Sequence, residues 1–122
     1  MACYLAAIPS PEGLLGSPFL GATFESWGVG WVHRQIQRLP LSPAMYHWRT
    51  QNGAEVDLVL DYGGRLFPIE FKSASMLSKH DARGILAFRE TYRHSATGVI
   101  LYGGDESFRL SEHAVAVPWR AV

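Results

Sequence analysis

Two closely spaced turn signals, Asn52-Gly53 and Gly63-Gly64, constrain this chain more than any other feature. Both pairs supply residues that accept the positive φ angles of a tight hairpin. Around them the residues alternate. In 54–61, Val56, Leu58 and Leu60 fall on one face and Glu55, Asp57 and Val59 on the other. In 65–74, Phe67, Ile69 and Phe71 face one way and Glu70 and Lys72 the other. That is the period of half-buried strands. With 45–50 ahead of the first turn, the pattern predicts three strands joined by two hairpin turns.

Helical patterns flank this block. Ser17-Pro18 is a helix start, and Leu20, Phe24, Trp27 and Trp31 recur at helical spacing until Pro40 and Pro43, which predicts one long helix over 18–38. A second helix is expected over 78–94, carrying Ile85, Leu86 and Phe88. Residues 97–102, bounded by Gly103-Gly104, read as a buried strand, and 114–117 as a last strand before Pro118-Trp119. Residues 1–8 read as the last turns of a helix stopped by Pro9 and Pro11, so 1–10 are expected to be a helical remnant of a preceding segment. The expected order is α-β-β-β-α-β with a terminal strand: an α/β fold, a central mixed β-sheet flanked by helices. At 122 residues, 1–122 form a single domain with one core.

Composition narrows the function classes. Eleven Lys+Arg balance eleven Asp+Glu, which excludes a polybasic nucleic-acid binder held by bulk charge but leaves room for a local basic groove. The single cysteine, Cys3, excludes an internal disulfide, and no Cys/His cluster has zinc-finger spacing. No apolar run reaches the roughly 18 residues of a membrane span. A cytoplasmic protein with no membrane partner is the expectation.

The second hairpin carries the chemistry. If Gly63-Gly64 is a two-residue turn, Asp57 lies opposite Glu70 and Glu55 opposite Lys72. Glu55 facing Lys72 is an ordinary favourable pair; Asp57 facing Glu70 destabilises a sheet by up to ~1 kcal/mol. A divalent cation would offset that repulsion, since Mg²⁺ is commonly held by one or two carboxylates plus waters and substrate phosphates. Two alternatives stay open: carboxylates splayed at a solvated edge, or one of them protonated. Lys72 could orient a water or stabilise developing charge. Glu25 is a third acid within an apolar helical stretch, and Gly21 and Gly28 leave its face small. The bland alternative is a solvent-facing glutamate beside packing glycines.

Glu25, Asp57 and Glu70-Phe71-Lys72 together form an acid, acid, acid-x-lysine set. It resembles the PD-(D/E)xK nuclease superfamily, whose restriction-endonuclease-like core has the same α-β-β-β-α-β order. Gly21-x-x-Phe24-Glu25, Trp48-Arg49-Thr50, Gly53-Ala54-Glu55-Val56-Asp57, Pro68-Ile69-Glu70-Phe71-Lys72 and Pro118-Trp119 are similar to the C-terminal domain of unknown function found on prokaryotic AAA+-type ATPases. The resemblance implies Asp57, Glu70 and the Phe71 carbonyl as metal ligands, Lys72 acting on the nucleophilic water, and Glu25 as an auxiliary acid. It also implies Mg²⁺ or Mn²⁺ as cofactor, DNA or RNA as substrate, and an ATPase domain or subunit as partner. The chain has no P-loop, so no ATPase activity is expected from it alone. The alternative is a non-catalytic module on the same scaffold that binds nucleic acid or its ATPase partner. An aromatic helix surface left without that partner is a candidate homodimer face.

The remaining signals are weaker. Lys79, Arg83, Arg89 and Arg93 give the second helix two basic i,i+4 pairs, either a nucleic-acid contact or a solvated face. Arg49 lies opposite Val56 if the Asn52-Gly53 loop is two residues long, and on the other face if it is longer. The five histidines show no metal-ligand spacing.

Overall fold

The glycines turn the chain where the pattern places them. In the computed structural model, which describes residues 3–7 and 23–121, Gly53, Gly63 and Gly64 all have positive φ (89°, 61° and 83°). The strands they separate are β2 (Ala44–Thr50), β3 (Glu55–Tyr62) and β4 (Arg65–Lys72), paired antiparallel in sequence. Before them come β1 (Cys3–Ala7) and helix α1 (Thr23–Ile36); after them come a 3-10 turn (Lys79–Ala82), helix α2 (Arg83–Thr91), β5 (Gly98–Tyr102), β6 (Phe108–Ser111) and β7 (Ala114–Pro118). The predicted start of the first helix, at Ser17-Pro18, lies outside the described residues.

The result is one mixed sheet in the order β1-β2-β3-β4-β5-β7-β6. After β4 the chain crosses over through α2, and β5 runs parallel to β4 and to β7. The apolar residues divide between the two faces. Val29, Val32 and Ile36 of α1 pack with Met45, Leu58, Phe71 and Leu101. Ile85 and Phe88 of α2 pack with Trp48, Val56, Val59, Ile100 and Ala116, and Trp48 meets Phe88 edge to face at 5.2 Å. The expected α/β class with a central mixed sheet and flanking helices is what forms.

Three expectations need correction. Cys3–Ala7 is a strand, not helix: it pairs antiparallel with β2, from Cys3 opposite Thr50 to Ala7 opposite Tyr46. A short apolar run has no decisive period, and the open edge of β2 settles its conformation. β6, which pairs with β7, was not foreseen because Phe108–Ser111 is short and two of its four residues are polar. The third correction concerns β3. Tyr46 pairs with Val59, but Trp48 pairs with Val56, so β3 takes one residue more than β2 over the same stretch. This is a β-bulge, with Asp57 and Leu58 together facing His47. It puts Val56 and Val59 on the α2 face and Leu58 on the α1 face, while Glu55 and Asp57 stay together on the side of one cavity.

Two glycines set how closely the helices approach the sheet. A Cβ on Gly28 would overlap the Phe71 ring, and one on Gly84 would overlap the Glu55 carbonyl oxygen. Gly28→Ala and Gly84→Ala are each expected to cost about 1–3 kcal/mol through overpacking, Gly84→Ala the more because backbone cannot swing aside. Gly30, whose Cβ would meet only the Arg34 guanidinium at 3.6 Å, is the control. Gly30→Ala is expected to be neutral or to stabilise by up to ~1 kcal/mol through helix propensity. Urea midpoints of the three variants check this.

Candidate functional site

The β3–β4 ladder follows the register expected of a two-residue turn, from Tyr62 opposite Arg65 to Leu58 opposite Ile69. There the regular pairing ends, because the bulge displaces Asp57. Instead of simply facing Glu70, Asp57 uses its Oδ2 to accept the Phe71 N–H at 2.9 Å. In an extended strand the carbonyl of a residue points to the same side as its N–H. The Phe71 main-chain oxygen is therefore directed toward β3, while its side chain is buried against α1.

A cavity of about 280 Å³ opens where the strands part, lined by Glu25, Glu55, Asp57, Glu70 and Lys72 with Gly53, His80, Asp81, Arg83 and Gly84. It brings together side chains from five elements: Glu25 from the first turn of α1, Glu55 and Asp57 from β3, Glu70 and Lys72 from the end of β4, His80 and Asp81 from the 3-10 turn, and Arg83 from the start of α2. All four predicted side chains of the acidic set converge here. On the β2 side Glu55 is directly opposite Arg49, because Gln51-Asn52-Gly53 forms a three-residue loop closed by Thr50 and Ala54; on the β4 side the expected pairing with Lys72 lies beyond the end of the ladder at Leu58–Ile69.

Charge crowding shapes the titration of these groups. Burial, reinforced by the charge of Asp57, pushes the Glu70 carboxyl from 4.5 up to about 8, against the opposing pull of Lys72. Burial also raises Asp57, partly countered by the hydrogen bond from Phe71 N–H and then by Lys72. Glu25 rises to about 7, first from burial and then from the charges of Asp57 and Glu55. Glu70 is only 4% exposed, and its Oε2 has no hydrogen-bond partner among the described residues. A buried, unpartnered carboxylate oxygen is costly unless a proton or a cation meets it.

No group of three or more His, Cys, Asp or Glu among the described residues forms a ready-made metal cage. The donor set is instead two buried carboxylates with a main-chain oxygen directed toward them. This suits a hard cation that keeps several waters, such as Mg²⁺, and lacks the Cys and His ligands typical of structural zinc sites.

Three residues escaped the sequence reading. Asp81 enters the cavity because its Oδ2 accepts the Ser78 N–H at 2.8 Å, and the Ser78-x-x-Asp81 spacing could have signalled this. His80 lies beside it. His47 is buried behind Asp57 and had no sequence signal, since the bulge that places it is a tertiary feature. The basic strip of the second helix is divided. Arg83 lines the cavity, Arg89 donates to the Ser95 carbonyl at 2.6 Å, and Arg93 lines a separate hollow beside Gly64, toward the opposite end of the hairpin.

Residues 20–122 match a family model described as a domain of unknown function, DUF4143. An uncharacterised protein of Mycobacterium tuberculosis and one of Mycobacterium bovis are each 36% identical over 115 residues, covering 93% of this chain and 24% of the relative. The chain thus spans about a quarter of the length of these curated relatives. No solved structure matches it. Among the described residues, no helix is long and apolar enough to cross a membrane.

Proposed function

This chain belongs to the DUF4143 family, whose description assigns no activity, and from its site we propose a Mg²⁺- or Mn²⁺-dependent phosphodiesterase of restriction-endonuclease-like architecture, acting on DNA or RNA. The observation that carries the reading is one cavity holding Glu25, Asp57, Glu70 and Lys72, in which the Glu70 Oε2 is buried with no hydrogen-bond partner among the described residues. Asp57, Glu70 and the Phe71 carbonyl would hold the ion. When bound, it would lower the pKa of water and neutralise charge on a phosphate.

The chain's own residues do the rest. Asp57, fixed by the Phe71 N–H, keeps one oxygen directed into the strand gap. Lys72 donates to the attacking water or to a phosphate oxygen and stabilises negative charge that develops during displacement. Glu25, half-buried across the cavity, accepts a hydrogen bond from water and holds it in place. The closeness of its pKa to neutrality suits it to taking and returning a proton.

The wider protein reads as a C-terminal domain paired with an AAA+-type ATPase module in the cytoplasm. The three quarters of the curated relatives that this chain does not span leave room for such a module. A non-catalytic module on the same scaffold is the competing reading, favoured by the lack of a ready-made three-ligand cluster among the described residues.

The test is a cleavage assay on plasmid, single-stranded DNA and RNA with Mg²⁺ or Mn²⁺. Lys72→Ala is expected to slow cleavage by roughly 10²–10⁴-fold, and Asp57→Ala to abolish it. Cleavage that survives both substitutions unchanged belongs to a contaminant or to another mechanism, and overturns the proposal.

A further inference from the structure

His47 is buried in the middle of β2, 3% exposed, on the strand next to the acidic site. It stands where the β3 bulge leaves two residues, Asp57 and Leu58, against one. A bulge takes a residue out of the regular ladder and leaves its main-chain groups in need of other partners. Here the imidazole supplies one: Nδ1 lies 3.2 Å from the Asp57 carbonyl oxygen, where an Nδ1–H donates. On the far side of the ring, Nε2 lies 3.6 Å from Glu55 Oε2, too long for a hydrogen bond and an ion pair only when the imidazole is protonated. One side chain therefore stands between the main chain of Asp57, which it contacts, and the carboxylate of Glu55, and both of those residues line the cavity.

We propose that His47 is a positioning residue for Asp57: its ring holds the bulged Asp57 peptide, so that the carboxylate meets the Phe71 N–H and is presented to the cavity. The proposal rests on the reading of Asp57 as a metal ligand for its functional meaning, but its structural content is independent of that reading. Bulges beside functional sites commonly re-aim a side chain. This one has a buried imidazole nitrogen 3.2 Å from the displaced carbonyl, and the re-aimed carboxylate ends on a specific amide 2.9 Å away.

That geometry separates the two nitrogens. Asn at position 47 can place its amide N–H near the Nδ1 position, whereas Gln reaches toward Nε2 and Phe donates nothing. The experiment compares His47→Asn, His47→Gln and His47→Phe by amide hydrogen exchange and by Mn²⁺ titration, with thermal unfolding as the measure of folding. The Phe71 amide reports Asp57 directly. It is expected to exchange on the order of ten-fold or more faster in His47→Gln and His47→Phe, relative to other β4 amides, as its bond to the carboxylate weakens. In His47→Asn it is expected to stay near the wild-type rate. Mn²⁺ affinity is expected to fall at least roughly ten-fold in the first two variants and to be retained in the third, the range seen when residues that orient metal ligands are removed.

Wild-type exchange at Phe71 in a folded Gln or Phe variant overturns the proposal, as does equal loss in all three variants, which would mark His47 as core filling alone. If the wild type binds no Mn²⁺ but the Phe71 amide follows the expected order, the positioning role stands and the metal reading of the site fails.

Discussion

Wild-type protein titrated with Mn²⁺ or Mg²⁺ in a calorimeter is expected to bind far more tightly at pH 8 than at pH 6, and Asp57→Ala/Glu70→Ala is expected to show no saturable binding at either pH. A metal ligand must give up its proton. The Glu70 carboxyl titrates near pH 8, because it is buried beside the charge of Asp57. Only about one molecule in a hundred has Glu70 ionised at pH 6, against about half at pH 8, so affinity gains tens-fold from this group alone. Glu25, near 7, adds to the trend if it joins the site. The binding heat should also vary with the ionisation enthalpy of the buffer, since protons are released. Binding that persists in the double variant would move the ion elsewhere. No wild-type binding at pH 8 would shift the assignment toward the non-catalytic module.

The metal-free protein should show the opposite trend in stability. Glu70 has a folded-state pKa of about 8, above its ordinary 4.5. Between those values the native state holds more protons than the unfolded state, so stability falls with rising pH. Its contribution is fully present below about pH 4.5 and is lost as pH climbs through about 8. One pKa unit corresponds to about 1.4 kcal/mol, so the loss is on the order of a few kcal/mol. Asp57 and Glu25 shift in the same direction, Glu25 with less effect because half-exposed charge is screened. Glu70→Gln removes the titration while keeping the shape. Urea unfolding at pH 5, 7 and 8.5 should show a steep decline in the wild type and a shallower one in Glu70→Gln, with the variant more stable at pH 8.5. A wild type that gains stability across this range would show that the buried carboxylates are already compensated. Added Mn²⁺ should restore wild-type stability at high pH by mass action.

The two trends connect the fold to the proposed chemistry. The cavity holds carboxylates that are uncomfortable without a proton, and it exchanges that proton for a cation as pH rises. The site depends on the bulge and on the close approach of both helices to the sheet. Gly84 presses α2 onto the carbonyl of Glu55, and Gly28 lets α1 lie against Phe71, on the strand that carries Glu70 and Lys72. Loosening either contact should disturb the site even where the fold survives.

Much of this arrangement was legible in the residues. The two glycine turns and the alternation around them are local, so the three-stranded block and most of the β3–β4 register followed from backbone φ preferences and side-chain period alone. The acid–acid-x-lysine spacing was likewise local: strand geometry brings residues near the ends of a hairpin together, and Glu25 stood out as a charge in an apolar helix. Only the tertiary structure decided the rest. β1 became a strand because β2 offered an unpaired edge. The bulge at Asp57 and Leu58 has no signature in sequence, since it reflects a register mismatch between the three-residue loop after β2 and the pairing farther along β3. That mismatch aimed Asp57 at the Phe71 N–H, placed His47 behind it and put Val56 and Leu58 on opposite faces. The residues of the site could be named from their order in the chain; how they meet was set by packing between elements far apart in it, where sequence period carries no information.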